Sequence, residues 1–198
     1  IPIVGTTSWP LPREAREILR ESNPCPFTAA DLEERLIGTS EFMPRSAIVC
    51  LFPYHVPHEG PTNLSRYTWA TDYHLVVADY LQRLVAELKT TAPDASFSIH
   101  CDTSPLADRY MAYLAGLGFY GKNKCFINPT WGSYIVIGTV LTTLEFESNT
   151  PIADTCMGCN RCITSCLGQC LDGNAFNYAT CKSYLTQKKG DLTDDEQA

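Results

Sequence analysis

The 198 residues lack any apolar run close to the roughly 20 residues that a membrane-spanning helix needs. The first residues, IPIVGTTSWP, lack the basic start and long apolar core of a secretory signal peptide. Positive charge is not in excess either, because 15 Lys and Arg face 22 Asp and Glu, for a formal net charge of −7. These absences argue against a membrane protein and against a globally basic nucleic-acid binder. We expect a cytoplasmic protein with no membrane partner.

Apart from these absences, the composition is that of a packed globular protein, with 44% hydrophobic residues. The length allows one α/β domain plus a small appendage. IPIVG has the composition of a strand whose beginning is missing, so we expect the chain to be trimmed at both ends.

Hydrophobic periodicity predicts the first half of the chain. Thr28 is a candidate N-cap of a short helix that ends near Gly38. The apolar run 47–52 predicts a strand buried on both faces that stops at Pro53. Apolar residues recur at helical spacing from Asp72 to Leu88, which predicts an amphipathic helix.

The segment SFSIHCD alternates like a strand and has Asp102 at its end. Pro105 suits the first turn of a helix that runs through Leu117. A strand followed by a loop and a helix puts Asp102 where α/β folds keep their chemistry, outside the carboxyl end of a strand. On spacing alone, capping of this helix is the favoured role for Asp102.

The remaining segments predict a hairpin, a linker and a small module. KCFINPTWGSYIVIGTVLTTLEF predicts a short strand, a turn at 129–132 and a long strand to about Phe146. ESNTPIAD is a linker, residues 155–190 form a cysteine-rich module with two short helical pieces, and LTDDEQA is the capped start of another helix.

Ten cysteines are present, and four of them form the run CMGCNRCITSC with the spacing C-x2-C-x2-C-x3-C. This spacing is typical of ferredoxin-type iron–sulfur ligation, in which the fourth cysteine serves the other cluster of a two-cluster protein. The alternative is a structural zinc site, which usually uses two separated pairs. Four further cysteines stand alone and are expected to be mostly buried as small hydrophobes: Cys25, Cys50, Cys101 and Cys125.

Over most of residues 45–190 the chain resembles the epoxyqueuosine reductase (QueG-type) family. The segments that carry the resemblance, in order, are SRYTWATDYH, CDTSPLADRYMAYLAGLGFYGKN, WGSYIVIG, the CMGCNRCITSC run and CKSYLTQKKG. It implies a nitroreductase-like cobalamin-binding domain, expected at 1–148, and a partial ferredoxin-like domain at 149–198. The implied activity is the cobalamin-dependent reduction of epoxyqueuosine to queuosine in the tRNA anticodon loop. An electron donor such as a flavodoxin or ferredoxin, and a monomeric state, are also implied.

The resemblance also implies a set of site residues. Asp102 matches the family's proposed proton donor. Residues that match cobalamin-contacting positions, or lie in the same motif blocks, are Arg66, Tyr67, Lys122, Asn123, Phe126, Ile137 and Ser183.

The same resemblance assigns ligands to two [4Fe-4S] clusters. Those of the first are Cys156, Cys159 and Cys162, and those of the second are Cys166 and Cys181. The family's later C-x2-C-x3-C segment is not among these residues. The usual proline after the fourth cysteine is Leu167, and Cys170 is a candidate substitute ligand.

Elementary chemistry fits this assignment, because opening an epoxide needs a reductant or nucleophile and a proton for the departing oxygen. His74, at the start of a predicted helix, is a candidate for contact with cofactor or substrate, or an ordinary structural histidine. Two other interpretations remain open. One is a related cobalamin and iron–sulfur reductase with another substrate, similar to the reductive dehalogenases. The other is a non-catalytic iron–sulfur electron-transfer protein.

Overall fold

The computed structural model describes residues 2–21, 25–28, 31–37, 41–57, 60, 62–153, 156–172 and 176–197. Its six strands, in chain order, are β1 (Ile3–Ser8), β2 (Ser46–Pro53), β3 (Phe97–Cys101), β4 (Phe119–Tyr120), β5 (Phe126–Ile127) and β6 (Ile135–Thr142). Its α-helices are α1 (Arg13–Glu21), α2 (Leu32–Ile37), α3 (Tyr73–Thr91), α4 (Asp108–Leu114), α5 (Arg161–Thr164), α6 (Lys182–Leu185) and α7 (Asp194–Gln197). Short 3-10 turns lie at Arg66–Trp69 and Tyr178–Thr180. The fold is therefore mixed α/β, as predicted.

The main sheet has four strands in the order β1-β2-β6-β3, and every neighbouring pair is antiparallel. Strand β2 lies inside this sheet, and its first six residues are buried. The prediction of a strand buried on both faces is confirmed, because alternate residues of β2 enter two different cores.

The two cores lie on opposite faces of the sheet. Val49 and Leu51 of β2 pack with Met111 of α4 on one face. Ile48 of β2 packs with Val77 of α3 on the other. Helix α3 therefore covers one face of the sheet, in agreement with its predicted amphipathic pattern, and Asp72 is its N-cap.

Three predicted boundaries are wrong. The predicted turn at 129–132 forms, since the backbone groups of Asn128 and Gly132 exchange hydrogen bonds of 2.9 and 2.8 Å. The pairing does not continue into the long strand, because β5 pairs with β4, whereas β6 pairs with β2 and β3 and ends at Thr142. Helix α4 begins at Asp108 and ends at Leu114, instead of running from Pro105 to Leu117, because residues 102–107 form an irregular loop after β3. The backbone N–H of Glu34 donates to Asp31 Oδ1 at 3.4 Å, so Asp31, rather than Thr28, caps α2. The predicted end near Gly38 lies outside the described residues.

The predicted linker runs along the edge of β1. The backbone N–H of Asn149 donates to the carbonyl of Thr6 at 2.9 Å, and Asn149 Oδ1 accepts the N–H of Thr6 at 2.7 Å. These paired bonds tie the segment before the cysteine module to the sheet.

Beyond the module, Glu196 Oε2 accepts the N–H of Thr193, which is the expected capping arrangement for α7.

The isolated cysteines follow their prediction only in part. Cys50 is fully buried, Cys25 and Cys101 are half-buried, and Cys125 is exposed.

In the described part of the chain, no helix combines the length and apolar character needed to cross a membrane.

Candidate active site

A cleft of about 1340 Å³ opens beside the carboxyl end of β3. Its walls combine the apolar strand segment 135–137 with tyrosine rings and two carboxyl groups; the wall residues used below are Tyr67, Tyr73, Asp102, Asp108, Lys122 and Ile137. Drug-sized ligands occupy pockets of roughly 300–1,000 Å³, so this cleft suits a larger ligand. We refer to it as the cleft throughout.

Asp102 lies on the rim of the cleft directly after β3. Its φ of 56° is in the left-handed region, which non-glycine residues occupy at a cost of about 1–2 kcal/mol. The N-cap of α4 is Ala107, so Asp102 does not cap that helix. Its carboxyl group instead contacts α3: Tyr73 Oη donates to Asp102 Oδ2 at 2.7 Å. A strained backbone held by a specific contact is a feature of functional sites.

His74 lies beside the same carboxyl group. Its Nε2 is 3.3 Å from Asp102 Oδ2, and its Nδ1 is 2.8 Å from Asp72 Oδ1. The hydrogen bond with Asp72, followed by the contact with Asp102, raises the pKa of His74. The imidazole therefore bridges two carboxylates and favours its protonated form.

Burial and the hydrogen bond to Asp102 raise the pKa of Tyr73. The phenol therefore stays protonated at neutral pH and remains the donor in its bond to the carboxylate. No role was predicted for Tyr73 from the sequence, although it lies directly between Asp72 and His74 in the segment SRYTWATDYH.

Asp108 is a second carboxyl group in the cleft, and sequence analysis missed it. Burial and the negative charge of Asp102 raise its pKa to about 7, although Arg109 acts in the opposite direction. The signal available in the sequence was its position six residues after Asp102, at the start of the predicted helix region. Asp108 therefore holds a proton more readily than an ordinary carboxyl group does.

The cysteine module touches the wall of the cleft at Lys122. The backbone N–H of Lys122 donates to Cys156 Sγ at 3.2 Å, and Lys122 Nζ donates to Asn160 Oδ1 at 2.8 Å. Asn160 has a φ of 52° and precedes α5, which contains Cys162. Hydrogen bonds from N–H groups to cysteine sulfur are one means by which proteins tune iron–sulfur centres.

Cys166, Cys170 and Cys181 line a second, smaller cavity of about 290 Å³. The Sγ atoms of Cys166 and Cys170 are 3.3 Å apart. A hydrogen bond from Cys170 and further bonds from backbone N–H groups lower the pKa of Cys166, which favours its thiolate. Burial raises the pKa of Cys170 to about 12, and Cys181 also contacts it.

Among the residues that the structure describes, no group of three or more His, Cys, Asp or Glu side chains converges as the ligands of a single metal ion do. The cysteines are thus brought together only in part. Cys166 and Cys181 line one cavity, Cys156 contacts the cleft wall, and Cys159 is exposed.

The other predicted cofactor residues fall into three places. Tyr67, Lys122 and Ile137 line the cleft together with Asp102. Asn123 and Ser183 line the smaller cavity. Arg66 and Phe126 are outside both sets of lining residues: Arg66 contacts His55 Nε2 at 2.7 Å, and Phe126 is buried in the core.

Comparison with known proteins points to one family. Residues 40–103 match the family model described as epoxyqueuosine reductase QueG, DUF1730. The epoxyqueuosine reductase of Bacillus cereus is 40% identical over 131 residues, which are 66% of this chain and 34% of that protein. That of Gloeobacter violaceus is 35% identical over 140 residues, which are 69% of this chain and 42% of that protein. The matched part is therefore less than half of either relative.

The similar solved structures are also epoxyqueuosine reductases, and they match a larger share of this chain. Epoxyqueuosine reductase from Streptococcus thermophilus superposes with a TM-score of 0.85 at 28% identity, covering 98% of this chain and 56% of that one. An epoxyqueuosine reductase bound to an epoxyqueuosine-modified tyrosine tRNA stem loop gives a TM-score of 0.85 at 28% identity, covering 98% and 55%. The Bacillus subtilis enzyme, whose catalytic aspartate loop is swung out of the active site, gives 0.81 at 27%, covering 98% and 55%.

The structure combines a mixed α/β fold, a cleft with an aspartate on its rim and an adjoining cysteine-rich module. The resemblance to the epoxyqueuosine reductase family that was seen in the sequence is confirmed. The relatives and solved structures to which this chain is similar are epoxyqueuosine reductases, and the chain spans about half the length of those structures.

Proposed function

We propose that this chain is the cofactor- and substrate-binding part of an epoxyqueuosine reductase, which acts on epoxyqueuosine in tRNA in the cytoplasm. The observation that carries the proposal is Asp102, held in a left-handed conformation on the rim of a cleft of about 1340 Å³. The structure with a bound epoxyqueuosine-modified tRNA stem loop supports tRNA as the partner. A flavodoxin or ferredoxin as electron donor and a monomeric state complete the proposal.

Residues 1–148 are the proposed nitroreductase-like cobalamin-binding domain. The apolar wall at 135–137 lies in the same cleft as Asp102 and Tyr73, and this combination fits a large flat cofactor with one reactive face. Tyr67, Lys122 and Ile137 would hold it inside the cleft. Arg66, Asn123, Phe126 and Ser183 would contact it from the margins or through their backbones. When bound there, a reduced cobalamin would supply the electron-rich centre that opening the epoxide needs.

Residues 149–198 are the proposed partial ferredoxin-like domain. Thiol groups are the ligands that iron–sulfur clusters require, and the hydrogen bonds to Cys156 and Cys166 suit thiolate ligands. Cys156, Cys159 and Cys162 would hold one [4Fe-4S] cluster, and Cys166 and Cys181 would contribute to the other. Cys170, between the last two in the small cavity, is the candidate additional ligand.

Within this assignment the chain's own residues handle protons. Removing the epoxide oxygen to leave a carbon–carbon double bond consumes two electrons and two protons, and releases the oxygen as water. Asp102 gives a proton to that oxygen as its carbon–oxygen bond breaks. The hydrogen bond from Tyr73 orients the carboxyl group at the rim.

Mass analysis of tRNA nucleosides tests the substrate. We expect deletion of the gene, in a strain with no second gene of this family, to replace queuosine with epoxyqueuosine. Complementation with the intact gene restores queuosine. Unchanged queuosine in the deletion strain would overturn the tRNA assignment and leave a related reductase with another substrate.

A further inference from the structure

The carboxyl group of Asp102 belongs to a continuous chain of polar contacts that reaches the surface. Its Oδ2 is 2.7 Å from Tyr73 Oη and 3.3 Å from His74 Nε2. The other ring nitrogen of His74 is 2.8 Å from Asp72 Oδ1. Asp102 and Asp72 are both exposed, with 61% and 59% of their side chains accessible. Solvent therefore reaches the network at both of these carboxyl groups, and Asp72 is not among the residues that line the cleft.

The local fold fixes this arrangement. Asp72 is the N-cap of α3, and its Oδ1 also accepts the backbone N–H of His74 at 2.9 Å. The rings of Tyr73 and His74 stack with their centroids 4.1 Å apart, so the two side chains point the same way from the first turn. The left-handed backbone of Asp102 then turns its carboxyl group towards that turn.

The proton count explains why such a network is useful. The proposed reaction consumes two protons in each turnover, and one carboxyl group carries one. Asp102 must therefore be reprotonated before the oxygen can leave as water. His74 is in direct contact with Asp102, and its hydrogen bond with Asp72 raises its pKa, so its environment favours the protonated imidazole.

We propose that His74 acts through Asp102, as a positioning residue. It transfers a second proton to the Asp102 carboxylate after the first has been used, while Asp72 holds the opposite ring nitrogen. This rests on the proposed role of Asp102 as proton donor. In the step, the Nε2–H bond of the imidazolium breaks and an O–H bond forms at Asp102 Oδ2. The imidazole becomes neutral and takes a new proton from solvent on the Asp72 side. No electrons move in this step.

The groups that face the imidazole are Asp72 from the cap, Tyr73 from the same turn and Asp102 from the loop after β3. Asp108 is the next carboxyl group in the cleft, and the negative charge of Asp102 raises its pKa. Because the hydrogen bond with Asp72 raises the pKa of His74, the protonated imidazole that gives its proton to Asp102 is lost as pH rises through that pKa. We therefore expect an alkaline limb in the pH profile, that is, a fall of the turnover rate as pH rises. Weakening the contact between Asp72 and His74 should move that limb to lower pH.

The test compares the pH profiles of variants loaded with cobalamin and supplied with a low-potential reductant. We expect His74→Gln to slow turnover on the order of tenfold and to remove this limb, because glutamine keeps a donor but cannot ionise. Asp72→Asn shifts the limb to lower pH. His100→Gln is the matched control, since His100 is half-buried on β3 and bonds Ser98 Oγ at 2.8 Å. A wild-type profile in His74→Gln overturns the relay.

Proton NMR of the cofactor-free protein separates this inference from the proposed function. We expect the titration midpoint of the His74 ring, assigned by its loss in His74→Gln, to fall in Asp72→Asn and in Asp102→Asn. Midpoints unchanged in both variants overturn the network. If both midpoints fall but the wild-type protein never reduces epoxyqueuosine, the network stands and the proposed function fails.

Discussion

Asp102→Asn is expected to lower the turnover of epoxyqueuosine by at least about 100-fold while leaving cobalamin bound, because a positioned general acid contributes about 10²–10⁴ in rate. Asparagine keeps the shape of the side chain and can still accept the hydrogen bond from Tyr73. It has no acidic proton to give. The measurement is the initial rate of queuosine formation in a modified stem loop, together with the visible spectrum of the bound cofactor.

Asp79→Asn is the control for this experiment. Asp79 also lies on α3 and is exposed, and it pairs with Arg83 at 3.0 Å away from the cleft. Its replacement should leave the rate within about twofold, since exposed pairs of this kind contribute little to stability. Turnover by Asp102→Asn at the rate of the Asp79→Asn variant would remove Asp102 as the proton donor.

Gly168→Ala is expected to break open the small cavity that holds Cys166 and Cys181. A Cβ atom at Gly168 would overlap the carbonyl oxygen of Thr180, so the loop could no longer lie against the segment before Cys181. Overpacking of this kind costs about 1–3 kcal/mol. We expect the variant to retain less iron after anaerobic reconstitution, and its buried Cys170 to react with a thiol reagent.

Leu167→Ala provides the matched control in the same loop. Leu167 is 87% exposed, so its truncation removes little packing. Iron content and thiol reactivity should therefore stay at the wild-type values. If Gly168→Ala behaved in the same way as Leu167→Ala, the close approach of this loop to Thr180 would have no part in holding a cluster.

The local sequence correctly predicted those elements whose hydrophobic pattern fits only one type of secondary structure. The apolar run of β2 and the periodic pattern of α3 each matched their observed structure. The predicted pairing of β5 with β6 was wrong, although the turn between them forms, because the apolar character of β6 identifies a strand but not its partners. Its partners, β2 and β3, are distant in sequence, and that pairing depends on the whole sheet.

The candidate site shows the same division. Asp102 was identified from its position after β3 and from the family motif. Its contacts with Tyr73 and His74 were not, because they join the ends of two elements 29 and 28 residues apart in sequence. The raised pKa of Asp108 depends on burial within the cleft, for which the sequence has no local signal.

Anaerobic titration with cob(II)alamin shows whether the cleft is a cobalamin site. We expect stoichiometric binding with a changed visible and electron paramagnetic resonance spectrum. We also expect Ile137→Trp, which places a larger side chain at the apolar wall of the cleft, to weaken binding by at least about tenfold. Leu75→Trp, on the exposed face of α3, should bind as the wild type does. If the wild-type protein left the spectrum of free cob(II)alamin unchanged, the cleft would not be a cobalamin site.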